Sequence, residues 1–491
     1  MSQSQVPTRI LMFTSPDCAY CPSVEKLLQR TIGFGSVAFA HVSTIDINEN
    51  PELKTRYKIK SLPTLIINDE KVLSGQITEG EVQNVLWNKL VTTILEREKS
   101  YDMRKETMLA ITTNTLSSAL ELQLVRPSIG DYTHIGALQK TTFSILGLDV
   151  LATRLFYEAG KDLGLYGADS HLLLSLNPKI GAEIRSIEKR FKHVIDGIRI
   201  FFNRQTSNLP TYFSDRVDIV SLEDDEAVIR VYETASSTQA MDIGEPLCHF
   251  TAGEMAGMIE ALLAESVTVR ETACWGTGNP YCEFYIKLAG EKEKPYPLPK
   301  KRKDRPERFK QLIDRSMRLA YDSIFMKRKM RPNTGDYLHL GVLQQQLTSL
   351  KLSDPFTGSL LYAAGHQQGL NSPEIEFINR IKNKSAEIGD MEFLEALKVL
   401  RNFYNHPSSF LSREHGKVRS RNLRKESASL IIYELASATA TPNAGVNFCD
   451  FETGKIAGLF ERLTGQNIVA NESKCWGLGN NFCEFDVSKV D

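Results

Sequence analysis

Long apolar runs, a charge imbalance and a secretory leader are all missing from this 491-residue sequence. No apolar run approaches the roughly 18 residues needed to span a bilayer, so no membrane association is expected. The formal net charge of −1 gives no support for a nucleic-acid-binding or membrane-surface protein. The opening residues MSQSQVPTRI lack the basic and apolar regions of a secretory signal, which predicts a cytoplasmic protein.

Cysteine is also scarce, with eight residues in the chain, and its placement is uneven. Cys18 and Cys21 form a C-x-x-C motif, and the other six cysteines fall into two sets of three. This distribution is typical of a reducing compartment, where cysteines serve metals and redox chemistry. A dinucleotide-binding fingerprint is missing as well, because each Gly-x-Gly near the cysteines lacks the required strand–turn–helix context. No nucleotide cofactor is therefore expected.

A long internal repeat organises most of the chain. RPSIGDYTHIGALQ at 126–139 returns as RPNTGDYLHLGVLQ at 331–344, and YEAG at 157–160 returns as YAAG at 362–365. The copies are too long and too few for a solenoid, so they predict two homologous domains. An apolar content of 42% and a charged content of 24% are ordinary for globular protein.

Each copy ends in the same set of four potential metal ligands at identical spacing. Three thiolates and a carboxylate suit tetrahedral zinc, which accepts sulfur and oxygen donors. The alternative is that the cysteines are small buried hydrophobic residues, but packing alone does not require a glutamate in phase with three cysteines. We therefore predict two structural zinc sites. Their ligands are Cys248, Glu271, Cys274 and Cys282 in the first copy, and Cys449, Glu472, Cys475 and Cys483 in the second.

The same order of elements is predicted in both copies. A helical first part carries the repeated signature. Strands are expected at 217–222 and 227–234 in the first copy and at 430–436 in the second, followed by an amphipathic helix at 251–265 or 453–463. Two short strands then enclose a Trp-Gly-x-Gly-Asn turn, whose glycines permit the tight reversal that brings the last two cysteines together.

The N-terminal part of the chain reads as a compact α/β unit. Predicted strands and helices alternate, with strands at 9–15, 37–47, 64–67 and 72–74 and helices after Cys21, at 51–59 and at 78–90. The order βαβαββα, with Cys18-Ala-Tyr-Cys21 after the first strand and Ser61-Leu-Pro63-Thr64 before the third, resembles the thioredoxin and glutaredoxin superfamily. The resemblance implies that Pro63 matches the family's cis-proline beside the active site.

The predicted catalytic residues are Cys18, Cys21 and Pro63. A helix N-terminus favours the thiolate of Cys18, and Cys21 would then resolve a mixed disulfide. A cis Pro63, lacking an N–H, would leave a neighbouring backbone edge open to a substrate. Asp17 departs from the family pattern and works against thiolate formation. The alternatives are a thioredoxin fold without turnover, or a C-x-x-C that holds a metal.

Both repeat copies resemble the 4-vinyl reductase domain, through the pattern Cys…Glu-x-x-Cys-Trp-Gly-x-Gly…Cys-Glu-Phe. The resemblance implies a mixed α/β fold with an antiparallel sheet, related to TRAPP vesicle-trafficking subunits. It also implies a zinc held by the cysteines and glutamate, and an apolar pocket for a small hydrophobic ligand. Domains of this family pair, so we expect intramolecular pairing, a homodimer or both. The ATPase and helix-turn-helix modules of related activators are absent, which leaves the thioredoxin-like domain as the expected output.

Four side chains of the repeated signature are candidate ligand-binding residues, because a ligand site needs a few polar groups among apolar walls. The alternative is that the histidines are core residues satisfied by hydrogen bonds. The candidates are Tyr132 and His134 in the first copy, and Tyr337 and His339 in the second.

The predicted organisation is a thioredoxin-like domain at 8–92, a first 4-vinyl reductase domain with a helical connector at 93–289, a proline-rich basic linker at 290–308 and a second such domain at 309–491. The predicted function is a redox-linked, sensor-like protein that binds a small hydrophobic ligand or protein and exchanges disulfides with a redox partner. One alternative is a thiol–disulfide oxidoreductase, or a tetrapyrrole-type reductase accessory, acting on a recruited substrate. Another is a scaffold or assembly factor.

Overall fold

The computed structural model describes residues 8–25, 40–67, 70–75, 77, 98–119, 124–169, 173, 186–203, 213–289, 296–299, 302–354, 356–372, 389–405 and 414–490. The chain forms two compact units, one of Met1–Tyr101 with Gly358–Ala363 and one of Asp102–Thr357 with Ala364–Asp491. Helices and small sheets alternate in both, which confirms the mixed α/β and α+β fold class. Among the described helices, none is long and apolar enough to cross a membrane.

The first unit is built on a four-stranded sheet in the order β2-β1-β3-β4. Its strands are β1 Thr8–Thr14, β2 Ala40–Asp46, β3 Thr64–Ile67 and β4 Glu70–Ser74, and helix α1 Pro51–Arg56 follows β2. β1 runs parallel to β2 and antiparallel to β3. Side chains alternate along β1, so Leu11 and Phe13 enter one core cluster while Met12 enters another. The helix predicted at 78–90 lies outside the described residues.

The first repeat copy spans a helical half and a sheet half. Helix α2 Glu98–Ala119 precedes it; then follow β5 Tyr132–His134, α3 Ile135–Leu148, α4 Leu151–Tyr166, α5 Ile187–Phe202, β6 Val217–Leu222, β7 Glu226–Val231, α6 His249–Leu263, β8 Val267–Ala273 and β9 Cys282–Leu288. The four later strands form an antiparallel sheet in the order β6-β7-β9-β8. The predicted strands and helix of this copy are each found within a few residues.

The second copy repeats this order. Helix α7 Arg305–Met326 precedes it; then follow β10 Tyr337–His339, α8 Leu340–Ser353, α9 Thr357–Leu370, α10 Phe393–Tyr404, β11 Val418–Arg424, β12 Ser427–Ile432, α11 Asp450–Thr464, β13 Ile468–Lys474 and β14 Cys483–Lys489. The sheet order is β11-β12-β14-β13. The sequence predicted β12 too late and missed β11, because VRSRNLR is an exposed edge strand without apolar alternation.

Helices α4 and α6 pack backbone against backbone. A Cβ added to Gly160 would lie 2.1 Å from the carbonyl oxygen of Phe250, and one added to Gly253 would lie 1.9 Å from that of Tyr157. Further glycines continue the same contact, namely Gly164 and Gly257 in the first copy and Gly365 and Gly458 in the second. This contact places the start of α6, and therefore its first cysteine, against the helical half.

The two copies exchange their leading helices. β5 pairs antiparallel with β10, so the repeated signatures of the two copies meet. Helix α7, which leads into the second copy, packs along α3 of the first, where Gly136 faces Ala320. Helix α2, which leads into the first copy, packs on α8 of the second, where Gly341 faces Thr115. The two copies therefore form one intramolecular pair, as one of the sequence-based alternatives predicted.

Candidate dithiol site and metal centres

Cys18 and Cys21 form a disulfide where β1 leads into a helix beginning at residue 21. The N–H of Cys18 donates to the carbonyl oxygen of Ser15 at 3.1 Å, and the N–H of Cys21 to that of Cys18 at 3.4 Å, which closes the loop tightly. Cys21 is buried in the core, whereas Cys18 is partly exposed and Tyr20 between them is 51% exposed. Of the two sulfurs, that of Cys18 is the one nearer to solvent.

Pro63 lies in the loop before β3. The Leu62–Pro63 peptide bond is cis, which confirms the expectation drawn from the thioredoxin resemblance. The side chain of Leu62 packs on the same core cluster as Cys18, so this loop lies beside the dithiol. The carbonyl oxygen of Pro63 accepts the N–H of Gly75 at 2.9 Å, which ties the loop to the end of β4.

The first predicted zinc quartet is brought together from three elements. Cys248 directly precedes α6, Glu271 lies in β8, Cys274 directly follows β8, and Cys282 begins β9. The short turn at Trp275–Thr277 reverses the chain so that β8 and β9 pair antiparallel. All four side chains are buried, and their ligand atoms lie within 4.8 Å of one another.

The geometry of this quartet fits a divalent metal. The Sγ of Cys282 lies 3.3 Å from that of Cys248 and 3.8 Å from that of Cys274. One oxygen of Glu271 accepts the N–H of Cys248 at 2.8 Å, but the other, Oε1, is buried without a hydrogen-bond partner. Burial raises the pKa of Glu271 well above its ordinary value. An orphaned carboxylate oxygen beside three sulfurs is the donor set of a closed, structural zinc site.

The second quartet has the same construction. The Sγ of Cys449 lies 3.5 Å from that of Cys483 and 3.9 Å from that of Cys475. Glu472 accepts the N–H of Cys449 at 3.1 Å through Oε2, and its Oε1 is again buried without a partner. Burial raises the pKa of Glu472 as well. The residues of this centre therefore fit a metal by the same test.

The turn between the last two cysteines requires glycine. A Cβ on Gly276 would lie 2.3 Å from the carbonyl oxygen of Glu245, and Gly278 has φ +81° in the left-handed region. The N–H of Cys274 donates to Oγ1 of Thr277 at 2.9 Å. These contacts hold Cys274 in a fixed position next to β9, as the sequence analysis expected of the Trp-Gly-x-Gly-Asn segment.

The four candidate ligand-binding residues lie where β5 meets β10. In each histidine Nδ1 accepts the N–H two residues further on, at 3.0 Å for His134 and 3.1 Å for His339, and so caps the following helix. Nε2 of His134 lies 3.1 Å from Oγ of Ser323, and Nε2 of His339 lies 3.0 Å from Oγ of Ser118. The structure therefore places both histidines in the interface between the two copies. Ligand contact at these positions stays a prediction.

The tyrosines and an aspartate complete this interface. The ring of Tyr132 meets that of His339 edge-on at 5.6 Å, and His134 meets Tyr337 at 5.4 Å. Asp131, which the sequence analysis did not single out, accepts the N–H of Arg126 at 2.8 Å and the hydroxyl of the serine that contacts His339. Its repetition within Gly-Asp-Tyr was the signal that could have identified it.

Comparison with known proteins assigns the domains to families. A family model described as "Thioredoxin domain" matches residues 8–87, and the family model of the 4-vinyl reductase domain matches residues 227–288 and 429–489. The chain contains a thioredoxin domain and two 4-vinyl reductase domains. The two 4-vinyl reductase matches include most of each metal-ligand quartet, and the thioredoxin match includes the dithiol and the cis-proline loop.

The relatives of this chain match it over single domains. An uncharacterised protein of Methanocaldococcus jannaschii is 39% identical over 82 residues, which are 17% of this chain and 50% of the relative. The chain thus spans about half the length of that relative. A thioredoxin of the same organism is 28% identical over 82 residues, 17% of this chain and 95% of the thioredoxin. A solved vinyl-4-reductase family protein of M. jannaschii is 23% identical, with 24% of this chain and 76% of that chain covered and a TM-score of 0.16.

Proposed function

We propose that this chain is a cytoplasmic, redox-linked binding protein in which the thioredoxin domain exchanges disulfides and the paired 4-vinyl reductase domains hold a hydrophobic ligand or a protein partner. The observation that carries the proposal is the Cys18–Cys21 disulfide at a helix N-terminus, with the loop of cis Pro63 beside it. The pair of 4-vinyl reductase domains supplies the binding part, and its metal centres keep each sheet attached to its helix.

The unequal burial of the two sulfurs supports a division of roles. Cys18 is partly exposed, so in the reduced protein its thiolate would attack a partner's disulfide and release one partner thiol. Cys21 is buried, so its thiolate would then attack the mixed disulfide from within, forming the Cys18–Cys21 bond and releasing the second partner thiol. Exposed Tyr20 offers an apolar contact surface to that partner.

The metal centres are proposed as structural zinc sites. All the ligand atoms of each quartet lie within 4.8 Å, and all three cysteines of each set are buried, so no position is left open for a substrate. Such a site would join the N-terminus of α6 or α11 to the hairpin of the sheet. Three thiolates and a carboxylate in a buried site would give the sulfur-rich coordination typical of structural zinc.

Disulfide exchange can be tested directly on the full chain. We expect the wild-type protein to reduce insulin disulfides with dithiothreitol as electron donor, and Cys18→Ser to lose this activity. Asp17→Asn is the matched control, since it leaves both sulfurs in place. A redox titration by mass spectrometry follows the two thiols in parallel. A disulfide that does not cycle reversibly with glutathione or dithiothreitol would overturn the redox part of the proposal.

The same titration separates the binding protein from its main alternative. A thiol–disulfide oxidoreductase with recruiting 4-vinyl reductase domains predicts rapid multiple turnover. A redox-linked binding protein predicts reversible oxidation of Cys18 and Cys21 with slow turnover, together with saturable binding of an apolar fluorescent probe by the domain pair. A probe affinity that differs between the oxidised and the reduced dithiol, at unchanged zinc content, would show that the two functions are coupled.

A further inference from the structure

The sulfurs of the first metal centre are surrounded by hydroxyl groups. Oγ of Ser237 lies 3.0 Å from Sγ of Cys282 and 3.2 Å from Sγ of Cys248. Oγ of Ser236 lies 3.4 Å from Sγ of Cys248, and Oγ1 of Thr234 lies 3.5 Å from Sγ of Cys282. All three hydroxyl residues are buried. They belong to the turn that follows β7, outside the ligand set itself.

The sequence of the second centre has replaced two of these hydroxyl residues. Its equivalent turn carries Leu435, Ser437 and Ala438. A shared contact shows that the turns are equivalent, because Oγ1 of Thr238 donates to the carbonyl oxygen of residue 234 and Oγ1 of Thr439 donates to that of residue 435. Within the described part of the chain, the hydroxyl found near these sulfurs is that of Ser437, 3.9 Å from Sγ of Cys449.

Other groups do not remove this difference. The N–H of Phe448 donates to Sγ of Cys475 at 3.4 Å, which is one backbone donor for the second centre. Asp450, beside this centre, is paired with Nζ of Lys351 at 2.5 Å, so its charge is compensated. Among the described residues, the first centre therefore has three side-chain donors on its sulfurs, and the second has one long side-chain contact and one backbone donor.

Hydrogen bonds to a metal-bound sulfur change its reactivity. Three thiolates and one carboxylate around Zn²⁺ carry a net negative charge, and burial leaves that charge without water to solvate it. An O–H donor stabilises charge on the sulfur and withdraws electron density from it. A sulfur with fewer such donors stays more nucleophilic toward an oxidant. The leucine and alanine of the second centre thus leave its thiolates the more reactive set.

We infer that the metal centre of the second 4-vinyl reductase domain is a redox-labile site, which an oxidant empties before the first, and that Thr234, Ser236 and Ser237 are the residues that protect the first. This inference rests on the zinc sites of the proposed function. It adds a second redox-sensitive position to the chain, distinct from the Cys18–Cys21 dithiol. Oxidation would loosen one domain of the pair while the other keeps its metal.

The oxidation step can be written with hydrogen peroxide as the oxidant. The thiolate of Cys449 attacks one peroxide oxygen, the O–O bond breaks, and a sulfenic acid and a hydroxide form. The thiolate of Cys483, whose sulfur lies 3.5 Å away, then displaces the second hydroxide and forms the disulfide. Two protons convert the hydroxides to water, and the two sulfurs together lose two electrons. Glu472 and Cys475 are then the two ligands that remain, too few to retain the metal.

The test uses the full chain carrying Cys18→Ser and Cys21→Ser, so that the six ligand cysteines are the remaining thiols. The zinc-loaded protein is treated with excess hydrogen peroxide, and zinc release is followed with a chromogenic chelator. We expect two phases of one zinc each, the first about tenfold faster, the low end of the effect of outer hydrogen-bond partners on metal sites. Peptide mass spectrometry should find the early disulfide between Cys449 and Cys483.

Two exchanged variants make the comparison internal to the protein. Leu435→Thr with Ala438→Ser should slow the fast phase, and Thr234→Val with Ser237→Ala should speed the slow phase. A single phase, an early disulfide within the first centre, or unchanged rates in the Leu435→Thr and Ala438→Ser protein would overturn the inference. Purified protein without zinc would instead overturn the proposed metal centres themselves, so the two failures are distinguishable.

Discussion

Nε2 of His339 lies 3.0 Å from Oγ of Ser118, and this contact joins the second 4-vinyl reductase domain to the helix that leads into the first. Because Nδ1 of His339 accepts the N–H of Gly341, Nε2 carries the proton and donates it to the serine. The mirror-related contact joins His134 to Ser323. The two leading helices are thus exchanged between the domains, and each repeated signature is completed by a residue that precedes the other copy.

The buried His339 predicts a loss of stability in acid. Burial lowers its pKa from 6.5 to about 4. The folded protein therefore binds fewer protons than the unfolded chain between these values, and the free energy of unfolding falls as pH falls from 6.5 to about 4. The contribution is at most about 3 kcal/mol, because one pKa unit corresponds to about 1.4 kcal/mol.

Urea denaturation at several pH values from neutral to mildly acid measures this effect. His339→Gln should show a shallower decline than wild type, since glutamine does not titrate. A second histidine, His249, has its pKa lowered to about 4 by burial, so part of the decline should remain in this variant. Equal slopes for His339→Gln and wild type would contradict the assignment.

The ion pair of Lys140 and Glu414 predicts an asymmetric response to mutation. Nζ of Lys140 lies 2.7 Å from Oε2 of Glu414, across the interface of the two domains, and the lysine side chain is 1% exposed. Burial raises the pKa of Glu414, but Lys140 and Lys455 together lower it by more, so the net shift is downward and the carboxylate is ionised. Lys140→Met leaves that charge with less compensation and should reduce the free energy of unfolding by about 3–5 kcal/mol.

The double variant Lys140→Met with Glu414→Leu should recover most of this loss. The other half of the pseudo-symmetric pair has Gln345 and Phe213 at the equivalent positions, so an uncharged pair is compatible with the fold. Guanidinium chloride unfolding of the single and double variants gives the coupling energy. Additive effects of the two substitutions would show that the ion pair has no such role.

The glycine contact of α4 and α6 predicts strong destabilisation by a single methyl group. In Gly160→Ala the new Cβ would lie 2.1 Å from the carbonyl oxygen of Phe250, so the helices must separate. We expect the free energy of unfolding to fall by about 3 kcal/mol, at the upper end for an overpacked core. Leu151→Ala on the same helix is the control, because that side chain is 53% exposed and its loss should change stability by less than about 0.5 kcal/mol. A thermal melt of Gly160→Ala that matches the control would refute the close packing.

The first quartet predicts a domain-specific loss of metal. Glu271→Gln removes the carboxylate that faces the three sulfurs, so zinc in the first centre should become partly occupied while the second stays full. Cys274→Ser should destabilise the first 4-vinyl reductase domain, since a structural metal contributes folding free energy directly. Inductively coupled plasma mass spectrometry of protein purified under reducing conditions gives the zinc content. The Cys18→Ser and Cys21→Ser protein, which keeps both quartets, is the control, and a fall in its zinc would place metal on the dithiol instead.

Much of the candidate chemistry could be predicted from residue types and spacing. Cys248 and Glu271 are far apart in the chain, yet their repetition at Cys449 and Glu472 indicated that each set works as a unit. The cis Pro63 was also predictable, because the motif around it is local. The repeated Gly-Asp-Tyr and the glycines of α4 carried information too, but their roles depend on the element that packs against them.

The character of this protein as a dithiol unit joined to two sulfur-rich clusters of potential metal ligands follows from its sequence alone, because thiolates and carboxylates carry their chemistry wherever the chain places them. The exchange of α2 and α7, the hydrogen bond from His339 to Ser118 and the approach of three hydroxyls to the first set of sulfurs were decided by tertiary structure. A helix with an apolar face packs equally well on its own domain or on a homologous neighbour, and nothing local in the sequence distinguishes the two. Long-range packing makes that choice, and with it the surroundings of every buried polar group.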